Sequence, residues 1–240
     1  MDLLKNCQHN SSHYTYLIRG ERGDVKAIEK KTFHEDGVIE LGKEAEGLRW
    51  YAGTVDKNAN EIIDFFVTAK GYSKLRVKYH NGEVISNPIN PDLVINKIQS
   101  AVEHYFKVFG SNNYKYSHGD YFIGNVVFNK NRVVWIIDWE HFNDELPPGY
   151  DAVNLIVEVF ISYYSKSTSF TKSSVGFAKK LLSKVAQEIV MPKMVLKSPV
   201  LWCRDTALNH KSIWRHQYNK LPHIACSYRT CLEIDKLLGI

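Results

Sequence analysis

The amino-acid sequence predicts an α+β protein of two lobes: a small antiparallel sheet carrying one helix, then a larger, mainly helical part. Three observations lead there. Strand-like alternation is concentrated in the first third of the chain, helical periodicity fills the last half, and His80-Asn81-Gly82 interrupts the pattern between them. The lobes are therefore expected at 1–82 and 83–240, and 240 residues suffice for both cores.

Tyr14 to Arg19 and Val25 to Phe33 read as two strands joined by Gly20-Glu21-Arg22-Gly23, a tight polar turn. From Glu40 to Thr54, Leu41, Ala45, Leu48, Tyr51 and Ala52 recur at three- and four-residue steps, the period of a helix. Strand patterns return at Ile62 to Thr68 and Lys74 to Tyr79. After Asn90-Pro91-Asp92 a helix is expected to run to Phe109, closed by Gly110 and Asn112-Asn113. Two short apolar runs, Val126 to Phe128 and Val133 to Ile137, flank Asn129-Lys130-Asn131-Arg132, which signals a hairpin. From about Ala152 onward the spacing predicts helices over 152–165, 172–190, roughly 200–217 and 227–238.

Composition narrows the class. With 44% hydrophobic and 24% charged residues, disorder and coiled coil are poor readings, and a net charge of +5 is too small to argue for nucleic acid. Cys7, Cys203, Cys226 and Cys231 form no C-x-x-C pair and are read as free thiols of a reducing compartment. Neither a signal peptide nor a run of roughly 18 apolar residues is visible, so a cytoplasmic protein without a transmembrane segment is expected.

The chemistry is concentrated in Ser117-His118-Gly119-Asp120-Tyr121-Phe122-Ile123-Gly124-Asn125 and in Trp135-Ile136-Ile137-Asp138-Trp139-Glu140. A loop aspartate, an asparagine five residues later and an aspartate ending an apolar strand are parts that phosphoryl transfer from ATP needs. One carboxylate accepts the proton of the acceptor hydroxyl; an amide oxygen and the other carboxylate hold the metal that neutralises the phosphates. Taken singly, Asp120 reads as a turn or capping residue and Asp138 as a strand-end partner of a salt bridge. His9, His13 and His34 have no ligand-spaced partner in the sequence and are read as surface residues.

His-Gly-Asp, four residues, then Asn, followed by Ile-Asp-Trp-Glu, resembles the catalytic and metal-binding segments of aminoglycoside phosphotransferases and choline kinases. The resemblance implies a protein-kinase-like fold, with ATP held by a sheet-rich lobe and a helical lobe and Mg2+ as the metal. It makes Asp120 the catalytic base, Asn125 a magnesium ligand, Asp138 the second metal-binding carboxylate and His118 the residue that shapes the loop. Tyr150-Asp151-Ala-Val-Asn-Leu resembles a further family segment whose aspartate is structural. In this fold a strand lysine pairs with ATP phosphates and with a helix glutamate. Alternation favours Lys30 over Lys31, and spacing favours Glu44 over Glu46. A Gly-rich loop of the usual form is missing, so Gly20 and Gly23 are the candidate phosphate-binding turn. Backbone groups around Val77 to Tyr79 are the candidate adenine contacts.

The resemblance covers roughly the first sixty per cent of the chain. In the remainder, Lys172 to Lys220 holds ten Lys or Arg against Glu188 and Asp205. An excess of cations suits an anionic acceptor better than a polycationic antibiotic. The expected acceptor is a small molecule or glycan, such as a sugar of a bacterial surface polysaccharide or lipopolysaccharide, met by a protein peripheral to the inner face of the membrane. A choline, ethanolamine or aminoglycoside kinase, and a catalytically silent ATP-binding module, are the alternatives. Trp202, Trp214, Arg215 and Tyr218 are candidates for stacking on an acceptor, or else core residues.

Overall fold

A computed structural model describes residues 2–3, 13–56, 60–68, 71–86, 90–110, 115–164 and 170–240. Cys7, His9 and Asn112-Asn113 lie outside the described residues. The chain divides into two compact units, 1–81 together with 138–142, and 82–137 together with 143–240.

The first unit holds β1 (Asp2–Leu3), β2 (Tyr14–Arg19), β3 (Val25–Thr32), α1 (Glu35–Val55), β4 (Ile62–Val67) and β5 (Ser73–Lys78). Its five strands form one antiparallel sheet in the order β1-β2-β3-β5-β4. The β2–β3 hairpin turns at Gly20 to Gly23, where Gly23 adopts φ 80° and its N–H donates to the Gly20 carbonyl at 3.0 Å. α1 packs on β3, β4 and β5. It begins five residues earlier than the apolar period predicts, because Glu35 and Asp36 supply an acidic first turn that complements the helix dipole.

Within the same unit, Asp138–Phe142 packs against α1. Gly47 makes this possible: a Cβ there would lie 2.8 Å from the Trp139 Cβ and 2.9 Å from the Phe142 Cβ. Trp139 is fully buried, with its ring 5.1 Å from Tyr51 and 5.9 Å from Trp50. Gly47→Ala is therefore expected to overpack this contact and cost about 1–3 kcal/mol, despite alanine's better helix propensity. Urea unfolding measures it; an unchanged or raised midpoint would show that the segment can back away freely.

The second unit contains β6 (Glu83–Val84), α2 (Pro91–Phe109), β7 (Val126–Asn129), β8 (Arg132–Ile136), α3 (Tyr150–Tyr164), α4 (Lys172–Glu188), α5 (Lys193–Lys197), α6 (Pro199–Asn209), α7 (Pro222–Ala225) and α8 (Tyr228–Leu238). The strands form a three-stranded antiparallel sheet, β6-β7-β8. Caps fix the helix starts where the sequence offers them. Asn90 accepts from the Asp92 N–H with Pro91 in the first turn, Thr171 from the Ser174 N–H, and Ser227 from the Thr230 N–H. α3 is the centre of this unit: every residue from Tyr150 to Ile161 is buried, and α2, α4, α6, α7 and α8 all pack on it.

The helix predicted over roughly 200–217 ends instead at Asn209. Poor helix formers at Asn209 and His210 weaken it, and burying Ile213 and fully burying Trp214 in the core requires the chain to turn. A 3₁₀ segment, Arg215–Lys220, follows. Cys203, Cys226 and Cys231 are free thiols. No described helix is long and apolar enough to cross a membrane.

Candidate active site

Each unit contributes one organised cluster. In the first, Lys30 extends from β3 and donates to Glu44 Oε2 at 2.8 Å and to Asp138 Oδ1 at 2.6 Å. Strand alternation sends the neighbouring Lys31 elsewhere: it pairs with Glu29 at 2.8 Å and sits over the Tyr16 ring. Glu44 faces inward on α1 with a side chain only 3% exposed, whereas Glu46 faces solvent. Burial alone would pull the Lys30 ammonium down, but Asp138, Glu44 and Glu140 outweigh it, so the group stays charged. Asp138 holds φ at 66°, a left-handed backbone that costs a non-glycine residue on the order of 1 kcal/mol or more.

The structure does not bring Gly20 and Gly23 to this cluster. They close the hairpin at the end where Arg19 opposes Val25, while Lys30 opposes Thr15 near the other end. The chain entering β2 at the Lys30 end, residues 4–12, lies outside the described residues. Val77 lies within β5 opposite Ile28, and Tyr79 follows the strand, its N–H donating to the Lys26 carbonyl at 3.2 Å.

In the second unit the His118-Gly119-Asp120 loop is fixed from several sides. The buried Asp151 carboxylate at the start of α3 accepts the N–H of His118 at 2.6 Å and of Gly119 at 3.1 Å. Burial pushes this carboxyl up to about 7 against the downward pull of those N–H groups. His118 Nε2 meets the Ile137 carbonyl at 2.9 Å, and Nδ1 accepts the Asp120 N–H at 3.3 Å. These partners assign the proton to Nε2 and make the ring a brace for the loop. Gly119 adopts φ 83°, which only glycine adopts at little cost. Asn125, in a 3₁₀ turn leading into β7, donates from Nδ2 to the Asp120 carbonyl at 2.9 Å and to its Oδ2 at 3.3 Å.

Two contributors to this loop lie far from it in the sequence. Trp214 is fully buried and donates from Nε1 to the Gly119 carbonyl at 2.8 Å, a contact spanning 95 positions. A tryptophan at that spacing reads only as core or stacking surface, so no sequence signal marks the bond. Trp202 is likewise buried and Tyr218 half-buried; the Arg215 side chain lies outside the description. Glu158 is the second. Asp151, Asn154 and Glu158 form a polar stripe at three- and four-residue spacing along α3, whose other residues from Tyr150 to Ile161 are mostly apolar. Three buried polar groups on one face of such a helix were a signal available from the start. Burial and the Asp120 charge hold the Glu158 carboxyl well above the usual carboxylate range, and Asn154 Nδ2 lies 3.5 Å from it.

Trp214→Phe keeps an aromatic ring but removes the donor, leaving the Gly119 carbonyl unsatisfied. The expected cost is about 1–3 kcal/mol of stability. Urea unfolding measures it; an unchanged midpoint would show that the loop holds without Trp214.

No protein-family profile and no curated protein sequence matches the chain. Solved structures do. Aminoglycoside phosphotransferase APH(4)-Ia, in the apo form of a thermostable mutant, superposes with a TM-score of 0.52 over 99% of this chain and 94% of its own, at 10% identity. The streptomycin–ATP complex of APH(2")-IIa gives a TM-score of 0.47 at 12% identity, covering 100% of this chain and 94% of its own. WbdD bound to the kinase inhibitor LY294002 gives 0.45 at 13% identity, covering 75% of this chain and 45% of its own. With the sheet-and-helix first unit and the helical second unit, the chain has the protein-kinase-like fold of the aminoglycoside phosphotransferases.

Proposed function

We propose that this protein is a small-molecule kinase of the aminoglycoside phosphotransferase and choline kinase type, transferring the γ-phosphate of ATP to a hydroxyl group. The observation that carries the reading is the Lys30 ammonium, held charged between Glu44 and Asp138. A buried, permanently protonated amine braced by two carboxylates is suited to receive phosphate oxygens. The braced His118-Gly119-Asp120 loop supports the same reading, with Asp120 taking the proton of the acceptor hydroxyl. Backbone groups around Val77 to Tyr79 are assigned to the adenine.

The residues also fit magnesium. Asn125 spends Nδ2 on the Asp120 loop, so its amide oxygen is the donor it can offer. Asp138 offers a carboxylate, and both assigned ligands are therefore oxygen donors of the kind magnesium takes. Bound magnesium would neutralise charge on the phosphates. The protein's own groups do the rest: Lys30 orients phosphate oxygens, Asp120 holds the acceptor hydroxyl, and Asp151, His118 and Trp214 keep Asp120 in place.

For the acceptor, a glycan or sugar hydroxyl is the assignment. Lys172, Lys180, Lys193, Lys211 and Lys220 are exposed and suit an anionic substrate presented at a membrane surface. Mass spectrometry of a panel incubated with ATP and magnesium tests this, the panel holding sugars, lipopolysaccharide cores, choline, ethanolamine and aminoglycosides. Phosphate on a glycan is expected. Phosphate only on aminoglycosides or choline would overturn the acceptor assignment, and no product despite tight ATP binding would point to a silent ATP-binding module.

A further inference from the structure

Beside the Lys30 cluster, three side chains from distant parts of the sequence converge within the first unit. His13 immediately precedes β2, Glu40 lies on α1 one turn before Glu44, and Glu140 follows Asp138 by two positions. One possible ligand atom from each lies within 4.8 Å of the other two. Glu40 is 2% exposed and Glu140 7% exposed, so two carboxylates share a space largely closed to water.

The set mixes donor types. His13 offers an imidazole nitrogen and Glu40 and Glu140 offer carboxylate oxygens, from three elements that meet only in the folded unit. Glu140 Oε1 also lies 3.5 Å from His141 Nε2, which fixes that carboxylate in place. A compact, buried set of one nitrogen and two oxygen donors is suited to a divalent cation.

We propose that His13, Glu40 and Glu140 form a zinc site separate from the magnesium position assigned to Asn125 and Asp138. One imidazole nitrogen and two carboxylates match the three-ligand sets that zinc takes, with water completing the tetrahedron. The imidazole also discriminates between ions, because magnesium prefers oxygen donors while zinc binds nitrogen readily. The ion would tie the entry of β2 and the Asp138–Phe142 segment to α1, beside the Lys30 cluster. The site does not depend on the phosphotransferase reading, since its readout needs neither ATP nor an acceptor.

The test is calorimetric titration of the chelator-treated, nucleotide-free full chain with zinc alone, and separately with magnesium alone. One equivalent of zinc is expected, binding at least about 100-fold more tightly than magnesium, and zinc should raise the thermal midpoint. His13→Ala and His13→Gln, which alter a half-buried position, should weaken zinc at least about tenfold, and Glu40→Gln should do the same with little change in side-chain shape. Circular dichroism before titration shows that each variant is folded. Asp138→Asn should retain zinc binding. Absence of zinc binding, equal affinity in the folded His13 variants, or loss of zinc in Asp138→Asn would each overturn the proposal, the last by placing the ion at the magnesium position.

Discussion

Asp120→Asn is expected to lower phosphoryl transfer by about 10²–10⁴-fold while leaving ATP affinity unchanged. Asparagine has nearly the shape of aspartate but cannot accept the hydroxyl proton. The loop should keep its form, because what holds it is elsewhere: Asp151 on the His118 and Gly119 N–H groups, Trp214 on the Gly119 carbonyl, and Asn125 on the Asp120 backbone carbonyl. Steady-state kinetics beside calorimetric ATP titration separates the two effects. Wild-type turnover in this variant would remove Asp120 from the chemistry; lost ATP binding would mean the loop had collapsed instead.

Lys30→Ala should be the most damaging change in the first unit, for stability and for nucleotide binding together. Removing the ammonium leaves the buried Glu44 carboxylate without its charge partner, and breaking a buried pair in this way costs about 3–5 kcal/mol. The lower end is expected, since the Asp138 side chain is 39% exposed and water can replace part of what it loses. ATP affinity should fall about tenfold or more with the loss of a charge-assisted phosphate contact. The pH dependence has a definite sign. Burial already holds the Glu44 carboxyl above its ordinary value, and without Lys30 it rises further. A raised carboxyl makes the folded state bind protons more readily, so the stability deficit should be largest near neutral pH and shrink as pH falls toward 5. Denaturant melts of wild type and variant at several pH values check this, and a deficit that grows on acidification would contradict the assignment.

Much of this arrangement was legible from local patterns. Alternation along Val25 to Thr32 separates Lys30 from Lys31, and the helical period places Glu44 one turn before Leu48 on the inward face of α1. Asn90, Thr171 and Ser227 announce their helices through cap chemistry. What escaped were features set by distant contacts. The placement of Trp214 on the Gly119 carbonyl spans 95 positions and overrides the helical pattern after Asn209. His13 has no ligand-spaced neighbour in the sequence, and its meeting with Glu40 and Glu140 exists only once the sheet, α1 and the Asp138–Phe142 segment have packed. Gly20 and Gly23 show the opposite case: the turn forms as expected, but β2–β3 register puts it at the far end of the hairpin from Lys30.

The most direct measurement is transfer of label from γ-labelled ATP to a mixed pool of sugars, glycans, choline and aminoglycosides, with and without magnesium. The account predicts label on an acceptor hydroxyl in the presence of magnesium and none without it. Label that never leaves ATP, in a protein shown to bind ATP and tested against the full pool, would contradict it.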